Sequence, residues 1–310
     1  MKPHPFVLRA FAVLFVAILG FGCSVHFKPG PAFQEMKSTD LPDDPLTLLS
    51  IAHAAYNPFG PVSSVRLSLA ASEKVLTDHP QNELACYCYG RAVTWLLELD
   101  TDLSDEESKQ MAGQGFERLR DIAEGNSDRV DYVFLAGALL GNTVRLSPAQ
   151  GVAQVGRIHD YFERAVSLDP SYDDGAPLRA LGTLLVKAPP WPAGVGDIDQ
   201  GIELLKQAVE LFPGHPANHY YLAEALAAEG RKNEAATAYE HVVELCTEPR
   251  WGAVCDRYEP EARTQGQRLS TSIPLTRFSW TPCVSTIGVN ARITESLCNT
   301  IKVDTPKIVP

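Results

Sequence analysis

No GxSxG elbow, Walker loop or HExxH run occurs in the 310 residues of this chain. It therefore offers none of the short motifs on which serine-hydrolase, P-loop and zinc-protease chemistry is built. No two cysteines stand at CxxC spacing, which leaves a structural zinc site without its usual ligand pairs. The apolar run at residues 10–20 (AFAVLFVAILG) falls short of the roughly 20 residues that a membrane-spanning helix needs. Basic side chains are also scarce: 27 Lys and Arg stand against 38 Asp and Glu, a net charge of −11. Such a surface is a poor electrostatic match to nucleic acid or anionic lipid, and nucleic-acid binding is set aside. Gly194 and Gly196 form a lone glycine pair with no strand before them, so they do not make a nucleotide loop. His215 and His219 have the four-residue spacing of helical metal ligands, but His215 precedes Pro216 at a helix start and reads as a turn histidine. Asp173 and Asp174 read as negative charge at the N-terminus of a helix beginning at Gly175. No catalytic residue, metal or cofactor is expected.

What the chain does contain is internal repetition. Residues 175–213 run GAPLRALGTLLVKA, a proline-rich insert, then DIDQGIELLKQAVELFP, and residues 216–249 run PANHYYLAEALAAEGRKNEAATAYEHVVELCTEP. Each places a small residue one turn into a first helix, Gly182 or Ala223, and each carries Ala208 or Val242 at the same offset before the end of a second. A period of about 34 residues marks helical hairpins that stack because no single hairpin can bury its own apolar face. The pattern resembles the tetratricopeptide repeat (TPR). That resemblance implies an all-α fold of stacked helical hairpins, a TPR-like superhelix or solenoid, and a role in binding rather than catalysis.

The same reading extends over residues 46–270. An opening pair, 46–56 and 62–77, is broken at NPFGP (57–61). Residues 83–99 pair with 106–124, with Gly90 as the small contact residue. Residues 131–146 pair with 152–168, with either Ala136 or Gly137 at the contact, and 260–269 read as a capping helix. Beyond residue 273 the helical periodicity stops, and 271–310 read as an irregular or disordered tail. At the other end, Lys2, Arg9, the apolar run and LGFGCS resemble a lipoprotein-type signal peptide (1–22), with Cys23 lipidated and 23–45 serving as anchor and tether. Gly20 stands where such sites usually carry leucine, with Leu19 one place early, and an ordinary secretory signal is the alternative. Removing the leader takes Lys2 and Arg9 and moves the charge from −11 to −13. Ser24 after the cysteine resembles the sorting pattern of outer-membrane lipoproteins. An oxidising compartment permits disulfides. Cys246 and Cys255 bracket TEPRWGAV and are the candidate pair, whereas Cys86 and Cys88 point about 200° apart on a helix and read as core.

In a stacked TPR array the first helices line the concave surface. Counting from each repeat start places Tyr87, Arg91 and Trp95 there, with Val133 or Phe134 from the next unit, then Arg179 and Thr183, and Asn218, Tyr220 and Glu224. Arginines among aromatics suit a carboxylate on an apolar body or an acidic partner peptide. The alternative makes Tyr87 and Tyr220 half-buried packing residues and the arginines solvated or paired. One block is more specific. DDGAPLRALGTLLVKAPPWPAGVGDID (173–199) sets a proline-rich insert inside a TPR-like hairpin, and ELLKQAVELFPGHPANHYYLAEAL and PRWGAVCDRYEPEARTQGQRL follow. This stretch resembles the T component of tripartite ATP-independent periplasmic (TRAP) transporters. The resemblance implies a self-associating, non-enzymatic helical lipoprotein facing the periplasm of a Gram-negative-type envelope. It implies a solute-binding protein as partner and a hydrophobic or organic-acid solute. The rival reading is a TPR scaffold for outer-membrane, pilus or secretion assembly.

Overall fold

The structure, a computed structural model, describes residues 37–272 apart from 101, 126, 127 and 148–151. The leader, Cys23, most of the tether and the tail from residue 273 lie outside the described residues. Within them run eleven α-helices and no β-strand. They are α1 (Pro45–Ala55), α2 (Val62–Asp78), α3 (Glu83–Leu99), α4 (Asp105–Gly125), α5 (Val130–Leu146), α6 (Val155–Leu168), α7 (Tyr172–Lys187), α8 (Ile198–Leu211), α9 (Pro216–Ala228), α10 (Lys232–Leu245) and α11 (Gly252–Ser272).

Local chemistry sets the starts. Asp44 accepts from the Thr47 N–H at 2.8 Å and Pro45 fills the first helical position of α1. Asn82 caps α3 through the Ala85 N–H at 2.9 Å, and Asp197 caps α8 through the Gln200 N–H at 3.0 Å. Ser104 and Glu107 form a reciprocal capping box ahead of α4, with bonds of 3.0 and 3.3 Å. Each such cap satisfies helix-end N–H groups that have no partner inside the helix.

Consecutive helices pack as antiparallel hairpins, and the first helices α1, α3, α5, α7, α9 and α11 also touch one another in succession. They form the inner layer; α2, α4, α6, α8 and α10 lie outside it. One buried core runs from Leu48 to Leu185 and a second from Ile202 to Ala262. Cys86 and Cys88 are core residues, and Cys246 and Cys255 are joined in a disulfide. The small residues sit where the backbones approach. A Cβ on Gly182 would stand 2.8 Å from the Gly201 carbonyl oxygen, and one on Gly201 would meet that of Gly182 at the same distance. In the third unit the contact falls on Gly137, whose added Cβ would lie 2.8 Å from the Tyr161 Cβ.

One element differs from expectation. Helix α11 runs from Gly252 rather than from 260, and carries Pro260 in its interior; proline is favoured at helix starts, which is why the sequence points to 260. The regular part of α7 begins after Gly175, since Asp173, Asp174 and Gly175 have φ of 47°, 53° and 83°. These are left-handed values that only glycine adopts freely.

The longer α11 returns the chain to its beginning. Phe59, in the α1–α2 turn, meets Trp251 edge-on at 5.4 Å between ring centroids. Gly252, at φ 32°, lies so close to Phe59 that an added Cβ would collide with its carbonyl oxygen. Glu98 near the end of α3 accepts hydrogen bonds from Tyr221 of α9 and Tyr258 of α11, the latter 160 residues away. The disulfide ties α10 to α11 across the turn that presents Trp251.

Gly182→Leu should lower stability by roughly 1–3 kcal/mol or more, because backbone rather than a yielding side chain occupies the space. A melting temperature within about a degree of wild type would contradict the crossing.

Candidate binding site on the inner face

The turn at the end of α1, the middle of α3 and the left-handed start of α7 carry the side chains of interest. Arg91 stacks on Tyr56, its Cζ 3.8 Å from the ring centroid, and lies 5.0 Å from that of Tyr87. This is cation–π geometry. The guanidinium makes one hydrogen bond, to the His53 carbonyl oxygen at 3.5 Å, and its buried Nε has no partner. Tyr87 continues the aromatic wall to Tyr132 at 5.9 Å, and Phe134 extends it to Tyr172 at 5.6 Å.

Asp173 lies at the start of α7. Its carboxylate is reachable by solvent and accepts no hydrogen bond from the described residues. Crowding by the surrounding protein raises its pKa, Arg179 and Arg91 oppose the rise, and Asp174 adds to it. Burial likewise raises the Tyr172 and Tyr56 phenols, with the Asp173 charge contributing to both.

The turn carrying Asp173 is held by a buried brace. Asn218, fully buried at the start of α9, donates to the carbonyl oxygens of Asp174 (3.2 Å), Ala208 (3.1 Å) and Phe212 (3.3 Å). Its Oδ1 accepts from Arg179 Nη1 at 2.6 Å, and that nitrogen also reaches the Asp174 carbonyl at 3.4 Å. The amide thus satisfies helix-end carbonyls of α8 and pins the left-handed turn.

Several residues expected to face a ligand are therefore placed otherwise. Asn218 is inside, and Arg179 is committed to it. Trp95 is buried and donates its indole N–H to the Pro58 carbonyl oxygen at 3.0 Å. Phe134 packs against Phe162, and Tyr220 against Tyr258 at 4.7 Å. Glu224 accepts from the Tyr239 hydroxyl at 2.5 Å, and the Thr183 hydroxyl is buried without a partner. Tyr87 and Arg91 remain available. The stripe counted from the repeat start also packs neighbouring first helices, which consumes most of it. Tyr56, at the end of α1, and Tyr172 and Asp173, at the irregular start of α7, were missed because a count along the regular helices does not reach them; the adjacent positive-φ aspartates are visible only in the backbone.

His215 and His219 do not converge on a ligand. His215 packs edge-on to Trp251 at 4.9 Å, while His219 Nε2 lies 2.7 Å from the Pro213 carbonyl oxygen. The donor atoms of His159, Asp160 and Glu163 on α6 lie within 4.8 Å of one another, but both carboxylates are exposed. A pocket of about 230 Å³ between α2, α3 and α4 is lined by Arg66, which pairs with Asp100 at 2.6 Å, by Glu107, which accepts from the Ser104 hydroxyl, and by Glu73, whose pKa is raised by burial.

The architecture so defined is a TPR-type solenoid, a fold that commonly serves as a protein–protein interaction scaffold and is generally non-catalytic. A tetratricopeptide-repeat family model matches residues 194–255. The chain is similar in fold to the thermophilic TPR protein TTC0263 of Thermus thermophilus, with a TM-score of 0.53 at 16% identity, over 74% of this chain and 100% of that one. MamA matches with a TM-score of 0.40 at 14% identity over 65% of this chain and 91% of its own. Yeast Tom70 matches at 0.32 and 16% over 77% and 57%. No curated protein matches the sequence.

Burial, with the nearby Arg179, His219 and Arg250, lowers the His215 pKa to about 3. The folded state then resists the protonation that the unfolded chain accepts near pH 6.5, so this histidine costs no stability above that value. The cost grows as pH falls from 6.5 toward 3, by at most about 1.4 kcal/mol per unit. His215→Gln should flatten the loss of stability between pH 6.5 and 4 in urea titrations; an unchanged pH slope would contradict the burial of a neutral imidazole.

Proposed function

We propose that this chain is a non-enzymatic, lipid-anchored accessory protein of the periplasm that works with the solute-binding component of a TRAP-type transporter. It takes a small organic acid on its inner face. The observation that carries the reading is Arg91, a cation stacked on tyrosines with most of its donors unused. A carboxylate would supply the missing acceptors, and the rings would cover an apolar body. The return of α11 to α3 supports it, because it bounds the inner face where an extended peptide groove would stay open. The insert at 188–196 supports a partner protein. Trp191 is 85% exposed at its tip, and the insert is pinned by Gly196 N–H to Pro189 O at 2.8 Å and Asp197 N–H to Leu185 O at 3.0 Å. A preorganised exposed tryptophan is the kind of residue that dominates interfaces. The signal-like leader, Cys23 and the resemblance of Ser24 to the outer-membrane sorting pattern support the location.

In-cell cross-linking of the tagged chain, followed by mass spectrometry, tests the partner. Recovery of a solute-binding protein or its permease is expected, and Trp191→Ala should reduce it. Recovery of barrel-assembly, pilus or secretion components instead would overturn the transport role in favour of an assembly scaffold.

A further inference from the structure

The pocket of about 230 Å³ between α2, α3 and α4 takes no part in the proposed function. A cavity of roughly 150 Å³ is enough to hold one benzene ring, so this one has room for a small organic group. Leu69 of α2, Leu96 of α3, Leu103 of the following turn and Met111 of α4 give it apolar walls. Helical spacing sets Leu69 and Glu73 on one face of α2, and Glu107, Gln110 and Met111 on one face of α4, so two carboxylates line the same space. The charges there do not cancel. Arg66 is neutralised at 2.6 Å by Asp100, whose side chain is buried. Glu73 makes no side-chain hydrogen bond or ion pair with the described residues. Burial raises its pKa, and Arg118, which opposes the rise, sits over the Tyr89 ring at 5.0 Å without pairing with it. Glu107 takes both of its bonds from Ser104 on Oε2, which leaves Oε1 without one among the described residues. Once Arg66 and Asp100 cancel, Glu73 and Glu107 remain, and the pocket is anionic beside apolar walls.

We propose that this pocket binds an organic ammonium group carried on a short apolar chain. The ammonium pairs with Glu73, and its remaining N–H donors are met by Glu107 and by the Gln110 amide oxygen, which has no hydrogen bond among the described residues. The chain lies against Leu69, Leu96 and Met111. A free amine and a lysine side chain of a partner protein carry the same chemistry. The site is separate from the inner face, so it stands or falls apart from the role proposed for Arg91.

An NMR shift titration of the full chain, read at the amides of α2 and α4, tests it with n-pentylamine, 1-pentanol, pentanoate and Nα-acetyl-lysine N-methylamide. The amine should bind there roughly tenfold more tightly than the alcohol or the acid. Glu73→Gln should weaken the amine by a similar factor. Its melting temperature should stay within about a degree of wild type, because the carboxylate has no partner to lose. Glu203→Gln, which removes an exposed carboxylate from α8, should leave amine binding unchanged. Equal binding of the lysine derivative would assign the pocket to a partner's lysine; its failure beside a bound amine would assign it to a free amine. No shift with the amine, equal binding of amine and alcohol, or a preference for pentanoate at these helices would overturn the proposal. So would equal losses in Glu73→Gln and Glu203→Gln, which would reduce the effect to general attraction by an acidic chain. Should Glu73→Gln fail to fold, the wild-type comparison of amine with alcohol and acid still decides it.

Discussion

Glu98 accepts hydrogen bonds from two tyrosines carried by elements far along the chain, Tyr221 on α9 and Tyr258 on α11. Beside it, Trp251 and Gly252 close on Phe59. A stack of hairpins held only by nearest neighbours can flex along its length, since each repeat contacts only the next. This return contact adds a constraint of another kind. It fixes α1 and α3 relative to α9 and α11 and so settles the spacing across the inner face. The disulfide and the buried His215 both bear on the turn that presents Trp251, so the chain invests local chemistry in keeping that turn in one place.

Much of the fold was legible because hairpin stacking writes itself locally. Gly182, one turn into the first helix of its unit, marks the crossing of α7 and α8. Turn sequences such as NPFGP separate the elements. Each of these signals acts over one or two helical turns, the range at which a pattern in the chain can be read.

The site was less legible, for two physical reasons. The inner stripe of a first helix must pack the next first helix before it can face a ligand. Trp95, Phe134, Asn218 and Tyr220 are therefore spent on the core, while Tyr87 and Arg91, lying toward the edge of that packing, are not. The remaining members of the site come from helix ends. Tyr56 ends α1, and Asp173 owes its direction to a left-handed backbone held by Asn218, which comes 44 residues after the Asp174 carbonyl it grips. The return of α11 was hidden in the same way, since Phe59 and Trp251 meet through tertiary contact that no periodicity encodes.

The proposed function divides the labour across this geometry. The outer helices and core supply rigidity, the insert exposes Trp191, and the inner layer sets Arg91 on an aromatic lining. The central claim, that the array closes on itself, is tested most directly by a double-mutant cycle on Phe59→Ala and Trp251→Ala, read by urea denaturation. Closure predicts a coupling of about 0.5–1.5 kcal/mol between two residues so distant in sequence. Additivity within about 0.3 kcal/mol would mean that the two ends do not meet and that the inner face is an open groove.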